Sequence, residues 1–72
     1  MKIEELIQKG KDLINNNEIE KSLIYFQNLN NQKPHNSKIL VNLAYSYMRL
    51  NNFLKANKIL DEIIQIDENL AE

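Results

Sequence analysis

Residues 37–66, SKILVNLAYSYMRLNNFLKANKILDEIIQI, hold the break on which the fold turns. Before the break, Leu40, Leu43, Ala44, Tyr47 and Leu50 recur at steps of three and four, the spacing that puts side chains on one face of a helix. After it, Phe53, Ala56, Ile59, Leu60, Ile63 and Ile64 form a second stripe of the same period. Asn51-Asn52 separates them, and asparagine suits turns and caps better than helix interiors. The stretch therefore predicts two helices joined by a tight turn. On its N-terminal side, Asn36 and Ser37 are both good N-caps, and Pro34 pushes the residue before it out of the helical conformation. Further back, residues 18–31 carry Ile19, Ser22, Leu23, Phe26 and Leu29 on one face, with Glu18 and Glu20 placed to complement the helix dipole. Asn15-Asn16-Asn17 makes another break, and residues 2–14 carry Ile3, Leu6, Ile7, Gly10, Leu13 and Ile14. Beyond residue 66 the sequence reads as a frayed acidic end. The prediction is an all-α chain of four antiparallel helices.

Composition narrows the classes of function. The 72 residues make one small domain, residues 1–72, with a thin core. The absence of cysteine excludes a disulfide scaffold and a thiolate zinc site. Nine basic and ten acidic side chains leave a net charge of −1, the wrong balance for a dedicated nucleic-acid binder. No apolar stretch approaches the roughly 20 residues of a membrane span. Residues 1–5 carry acids at once and have no apolar signal core, so the expected location is cytoplasmic. Twelve Asn, ten Ile and eight Lys against one Arg are what codon bias in an AT-rich genome would give; the alternative, an Asn-rich aggregation-prone tract, fails because the asparagines are scattered and cluster mainly where the helical pattern breaks.

The pattern repeats. A shift of 34 residues lays residues 3–36 on residues 37–70 without a gap. Leu6 with Leu40, Asn17 with Asn51 and Lys21 with Lys55 are identical, and the environments agree better than the letters. Gly10 meets Ala44, Leu13 meets Tyr47, Ile19 meets Phe53, Ser22 meets Ala56, Phe26 meets Leu60, and Leu29 meets Ile63. Small residues fall on small ones and large apolar residues on large apolar ones. A helix–turn–helix unit at this period is the signature of a solenoid.

Both units resemble tetratricopeptide repeats. The resemblance covers almost the whole chain and implies a short right-handed superhelical α-solenoid, with repeat one at 3–36 and repeat two at 37–70. It implies that Gly10 and Ser22 sit at the crossing of the first two helices, and Ala44 and Ala56 at that of the last two. Leu6, Leu13, Phe26 and Leu29 match the large core positions of one unit, and Leu40, Leu43, Tyr47, Phe53, Leu60 and Ile63 those of the other. Pro34 matches the closing proline. Leu6 and Leu40 stand where the family usually has tryptophan, Lys9 replaces a large apolar residue, and Glu68 stands in place of the second closing proline.

Chemistry has little to build on. His35 is the only histidine, in a loop with no nucleophile or acid cluster to partner it. Asp61-Glu62 and Asp67-Glu68 are adjacent residues that point apart on a helix. No Gly-rich phosphate loop is present. A helix-turn-helix DNA binder spanning residues 43–60 would offer phosphates only Lys55 and Lys58, against Asp61 and Glu62. The expectation is therefore no enzyme, no cofactor, no metal, no nucleic acid and no membrane.

Two protein-binding surfaces are expected instead. The resemblance implies a concave groove lined by the first helix of each unit. Helical geometry then gives Glu4, Ile7, Gln8, Lys11, Ile14 and Asn15, followed by Lys38, Val41, Asn42, Tyr45, Met48 and Arg49. Ile7, Ile14, Val41, Tyr45 and Met48 are apolar, and either form a contact patch or finish a small core. The carboxylate clamp of some family members is matched by Lys38 and Asn42 and broken by Ile7. Gln8 and Asn42 make a matched amide pair. The second surface is the last helix, where Ile64 and Ile66 replace Asn30 and Gln32. With Ile59, Ile63 and Leu70 they either fold onto the core or meet another protein. The partner is a peptide or protein, and the chain is an adaptor, a homo-oligomer, or a subunit of a larger assembly.

Overall fold

The computed structural model describes residues 2–71, with side chains to residue 66. Four helices follow one another: α1 (Ile3–Asn15), α2 (Ile19–Gln32), α3 (Ser37–Arg49) and α4 (Phe53–Ala71). No strand occurs among the described residues. The fourth helix runs through residues 67–71, where the acidic composition predicts fraying. No Gly, Pro or asparagine pair interrupts that stretch, so the helix has no sequence reason to stop at Ile66.

The turns within the two hairpins have the same construction. Asn17 and Asn51 both adopt a left-handed φ of 62°. The following residue reaches back to the helix, Glu18 N–H to the Leu13 carbonyl at 2.8 Å and Asn52 N–H to the Tyr47 carbonyl at 2.8 Å. Asn17 N–H bonds the Ile14 carbonyl and Asn51 N–H the Met48 carbonyl, at 2.9 and 3.0 Å. This is the Schellman closure, whose C′ residue must be left-handed, and asparagine enters that region far more readily than most side-chain-bearing residues. That need accounts for the asparagine in both turns. Between the hairpins, Lys33 leaves the helical region before Pro34, at φ −133° and ψ 72°, and His35 takes a φ of 65°. Asn36 then caps α3, its Oδ1 accepting from Lys38 N–H at 3.0 Å and Ile39 N–H at 3.2 Å.

Packing is sequential: α1 lies on α2, α2 on α3 and α3 on α4, and α1 also reaches α3. Among the described residues the backbones of α1 and α2 stay clear of α4. A closed four-helix bundle would bring the first and last helices together, so this is an open array of helical hairpins. Gly10 sets the spacing of α1 on α2, because a Cβ there would fall under 3.0 Å from the Phe26 ring and from Tyr25 Cδ1. The Tyr25 and Phe26 rings meet edge to face at 5.5 Å, and the Tyr25 hydroxyl donates to the Leu6 carbonyl. Burial pushes the Tyr25 phenol above its usual value.

Ser22 also meets the next helix. Its hydroxyl lies 2.9 Å from that of Ser46, so it marks the α2–α3 contact. Both serines are fully buried, and each is also bonded to a carbonyl of its own helix, Ser22 to Ile19 at 2.7 Å and Ser46 to Asn42 at 3.0 Å. The core around this contact is Phe26, Leu29, Ile39, Leu40, Leu43, Ala44 and Tyr47, continued by Ala56, Ile59 and Ile63 from α4. Phe26, Ile39 and Leu40 are at most 2% exposed, each contributing about 1.5–3 kcal/mol relative to exposure. Leu6 and Leu23 pack on the margin of the core.

Phe53 and Leu60, expected in the core, lie outside it. They are 55% and 39% exposed, whereas their counterparts Ile19 and Phe26 are 8% and 0% exposed. The difference comes from the neighbours. Helix α2 lies between α1, whose Gly10 meets the Phe26 ring, and α3, whereas α4 packs on α3 alone among the described helices.

Candidate functional site

Helices α1 and α3 run along one side of the array and enclose a continuous groove. One cavity of about 460 Å³ is bounded by Glu4, Ile7, Gln8 and Lys11 from α1 and by Ser37, Lys38, Val41 and Asn42 from α3. A second, of about 550 Å³, shares Gln8, Lys11, Val41 and Asn42 with the first and extends past Ile14 and Asn15 to Tyr45. Residues at steps of three and four on each helix bring these side chains into one trough.

The expected groove residues play unequal parts. Val41, Tyr45 and Met48 are exposed along α3 at 50%, 43% and 44%. Ile7 is only 6% exposed and belongs to the core, so it forms the floor of the groove and no free contact surface. Ile14 is half-buried against the same core. The reason is the close approach at Gly10, which sinks the inner face of α1 onto α2. Neither amide is free as it stands: Gln8 Nε2 donates to Asp12 at 2.9 Å, and Asn42 Nδ2 donates to the Lys38 carbonyl at 2.8 Å.

Arg49 closes the groove at the turn end. Its Nη2 donates to Asn17 Oδ1 at 3.0 Å and its Nη1 to the Tyr45 hydroxyl at 3.3 Å. Its guanidinium carbon lies 5.9 Å from the Tyr45 ring centre, a cation–π distance. The contact ties the first turn to α3, fixing one wall of the groove against the other. Lys11 and Lys38 are exposed on the two walls, opposed by Glu4 at the far end.

The predicted α4 surface is mostly internal. Ile59 and Ile63 are each 9% exposed and sit in the core, and Ile66 packs against it half-buried. Only Ile64, at 54%, faces outward; the Leu70 side chain lies outside the described residues. The exposed apolar residues of α4 are instead Phe53, Leu54, Leu60 and Ile64. The sequence signal for them was the 34-residue match, since Phe53, Leu60 and Ile64 align with Ile19, Phe26 and Asn30 of α2, which are buried or half-buried. Ile24 on α2 is also 58% exposed, without a neighbouring apolar cluster of its own. His35 is exposed in the α2–α3 loop.

No family model matches this chain, and no similar curated protein or solved structure was found. None of the described helices is long and apolar enough to cross a membrane.

Proposed function

We propose that this chain is a non-catalytic protein-interaction module of tetratricopeptide type, acting in the cytoplasm as an adaptor or assembly subunit. Its α1–α3 groove receives an extended or helical segment of a partner protein. The observation that carries this reading is the row of Val41, Tyr45 and Met48, exposed along a groove whose floor is apolar at Ile7 and Ile14. Apolar side chains left in contact with water beside a concavity are the usual mark of a docking surface, and methionine adapts to varied partners. Lys11, Lys38 and Arg49 outnumber Glu4 along the walls, which favours a mildly acidic segment with apolar anchors. The repeat resemblance supports the same groove, because it points to the first helix of each unit.

A displayed library of random peptides, selected on the full chain, tests the reading. Enriched peptides should carry acidic residues between apolar anchors. Tyr45→Ala combined with Asn42→Ala should abolish their binding while leaving the helical circular dichroism unchanged. Retained binding in that double variant would remove the groove from the proposal.

A further inference from the structure

The groove is uneven in charge along its length. At one end Glu4 of α1 and Lys38 of α3 line the first cavity together, so opposite signs meet there. The second cavity is lined by Lys11 and Tyr45 and by no acidic side chain among the described residues. Past Tyr45 stands Arg49, whose Nη1 bonds the Tyr45 hydroxyl. The acids of the neighbouring segments have partners of their own. Asp12 accepts from Gln8 at 2.9 Å. Glu18 and Glu20 line a different cavity that includes Lys21, and Glu18 pairs with that lysine at 3.2 Å.

Arg49 is held in place without a carboxylate. Among the described residues no acidic side chain lies within ion-pair distance of it. Its acceptors are neutral, Asn17 Oδ1 at 3.0 Å and the Tyr45 hydroxyl at 3.3 Å. These bonds use two of the five N–H donors of a guanidinium and leave three. The Tyr45 ring lies 5.9 Å from the guanidinium carbon. An exposed arginine ordinarily loses side-chain freedom on binding, and here the structure has already fixed much of it. A guanidinium so held offers its remaining donors to a planar carboxylate, the group its fork matches best.

We infer that Arg49 reads an acidic side chain of the partner and thereby orders the bound segment. The aspartate or glutamate lies at the turn end, and an apolar anchor lies in the first cavity against Ile7 and Val41. The inference rests on the groove being the docking site. Tyr45 and Arg49 lie four and eight residues beyond Val41 on α3, about 6 and 12 Å at the helical rise. In an extended segment the acid then falls about two to four residues from the anchor. Lys11 lines both cavities; as a flexible point charge it adds attraction and sets no spacing.

Peptide selection run in parallel on the full wild-type chain, Arg49→Gln and Arg49→Glu tests the inference. The wild type should enrich an acid at a fixed spacing from an apolar anchor. Arg49→Gln should keep the anchor and lose the acid, and Arg49→Glu should put lysine or arginine in its place. For one enriched peptide, Arg49→Gln should weaken binding about three- to tenfold. The same peptide with its acid changed to the amide should bind the wild type and Arg49→Gln equally, which separates recognition from any effect on folding. Arg49→Lys should recover only part of the affinity, because it keeps the charge and loses the fork. An acid preference unchanged on Arg49→Glu, or an acid-free consensus on the wild type, would overturn the inference and leave the groove reading in place. Peptides that still bind the Tyr45→Ala, Asn42→Ala double variant would remove the groove itself, and this inference with it.

Discussion

Replacing Gly10 with alanine sets two effects of similar size against each other. Glycine within a helix is about 0.8–1 kcal/mol less favourable than alanine, so propensity alone predicts that Gly10→Ala stabilises the chain. Packing predicts the reverse. The added Cβ would fall under 3.0 Å from both the Phe26 ring and Tyr25 Cδ1. Neither ring has an easy retreat. Phe26 is 0% exposed, and Tyr25 is held by its bond to the Leu6 carbonyl and by the edge contact with Phe26. Overpacking of a closed core typically costs about 1–3 kcal/mol. Subtracting the propensity gain leaves a net loss of about 0–2 kcal/mol, equivalent to a fall of up to roughly 16 °C in Tm for a domain this small.

Urea melts followed by circular dichroism would measure the loss, with an unchanged slope confirming that only stability has moved. Ala44→Gly is the companion variant, because Ala44 stands at the matched position of the second hairpin with 1% exposure. It should also destabilise, by about 1 kcal/mol, since the new glycine loses propensity and relieves no clash. The exchange is thus unfavourable in both directions. A Gly10→Ala protein that melts higher than wild type would refute the close approach of α1 to α2 at this residue.

Asn51→Ala should cost about 1 kcal/mol by forcing a Cβ-bearing residue without a polar side chain into the left-handed region, while Asn51→Gly should be close to neutral; equal urea midpoints for the two variants would contradict the turn geometry. Partial burial holds the Tyr25 phenol above its usual value, so its contribution is complete below about pH 10 and falls away as pH rises through the folded value, because the unfolded chain ionises first. Tyr25→Phe should lose about 0.5–1.5 kcal/mol at neutral pH and show a shallower alkaline decline than wild type, measured as urea midpoints from neutral to alkaline pH.

Much of the fold was legible because local chemistry decided it. The asparagines mark both hairpin turns, and the structure shows why: Asn17 and Asn51 supply the left-handed residue that each helix end needs. Asn36 was readable as a cap for an equally local reason, whereas the close approach at Gly10 was expected from the repeat resemblance. The C-terminal extent of α4 was not readable from acid content, since acids at 67 and 68 reduce helix propensity only slightly and no breaker follows them. The contact of Ser22 with Ser46 of α3 was not readable, because a small residue on a helix shows that something comes near, and its position alone does not say which helix does.

The same distinction explains the misplaced surface on α4. That helix carries two apolar stripes, one through Ala56, Ile59 and Ile63 and the other through Phe53, Leu60 and Ile64, and spacing alone gives both an equal claim on the core. Which of them is buried depends on where α3 lies. The comparison of matched positions resolves it: α2 has α1 on one side and α3 on the other, and its Ile19 and Phe26 are buried, whereas α4 packs on α3 alone among the described helices and the corresponding residues stay uncovered. A change of Asn30 to Ile64 between the units then has a definite meaning. In α2 the position is half-buried beside a covering helix and tolerates a polar residue; in α4 it is 54% exposed and apolar. Solubility would favour the opposite assignment, with the polar residue on the side that faces water. An isoleucine placed there, in line with Phe53 and Leu60, extends an apolar face that solubility alone does not explain.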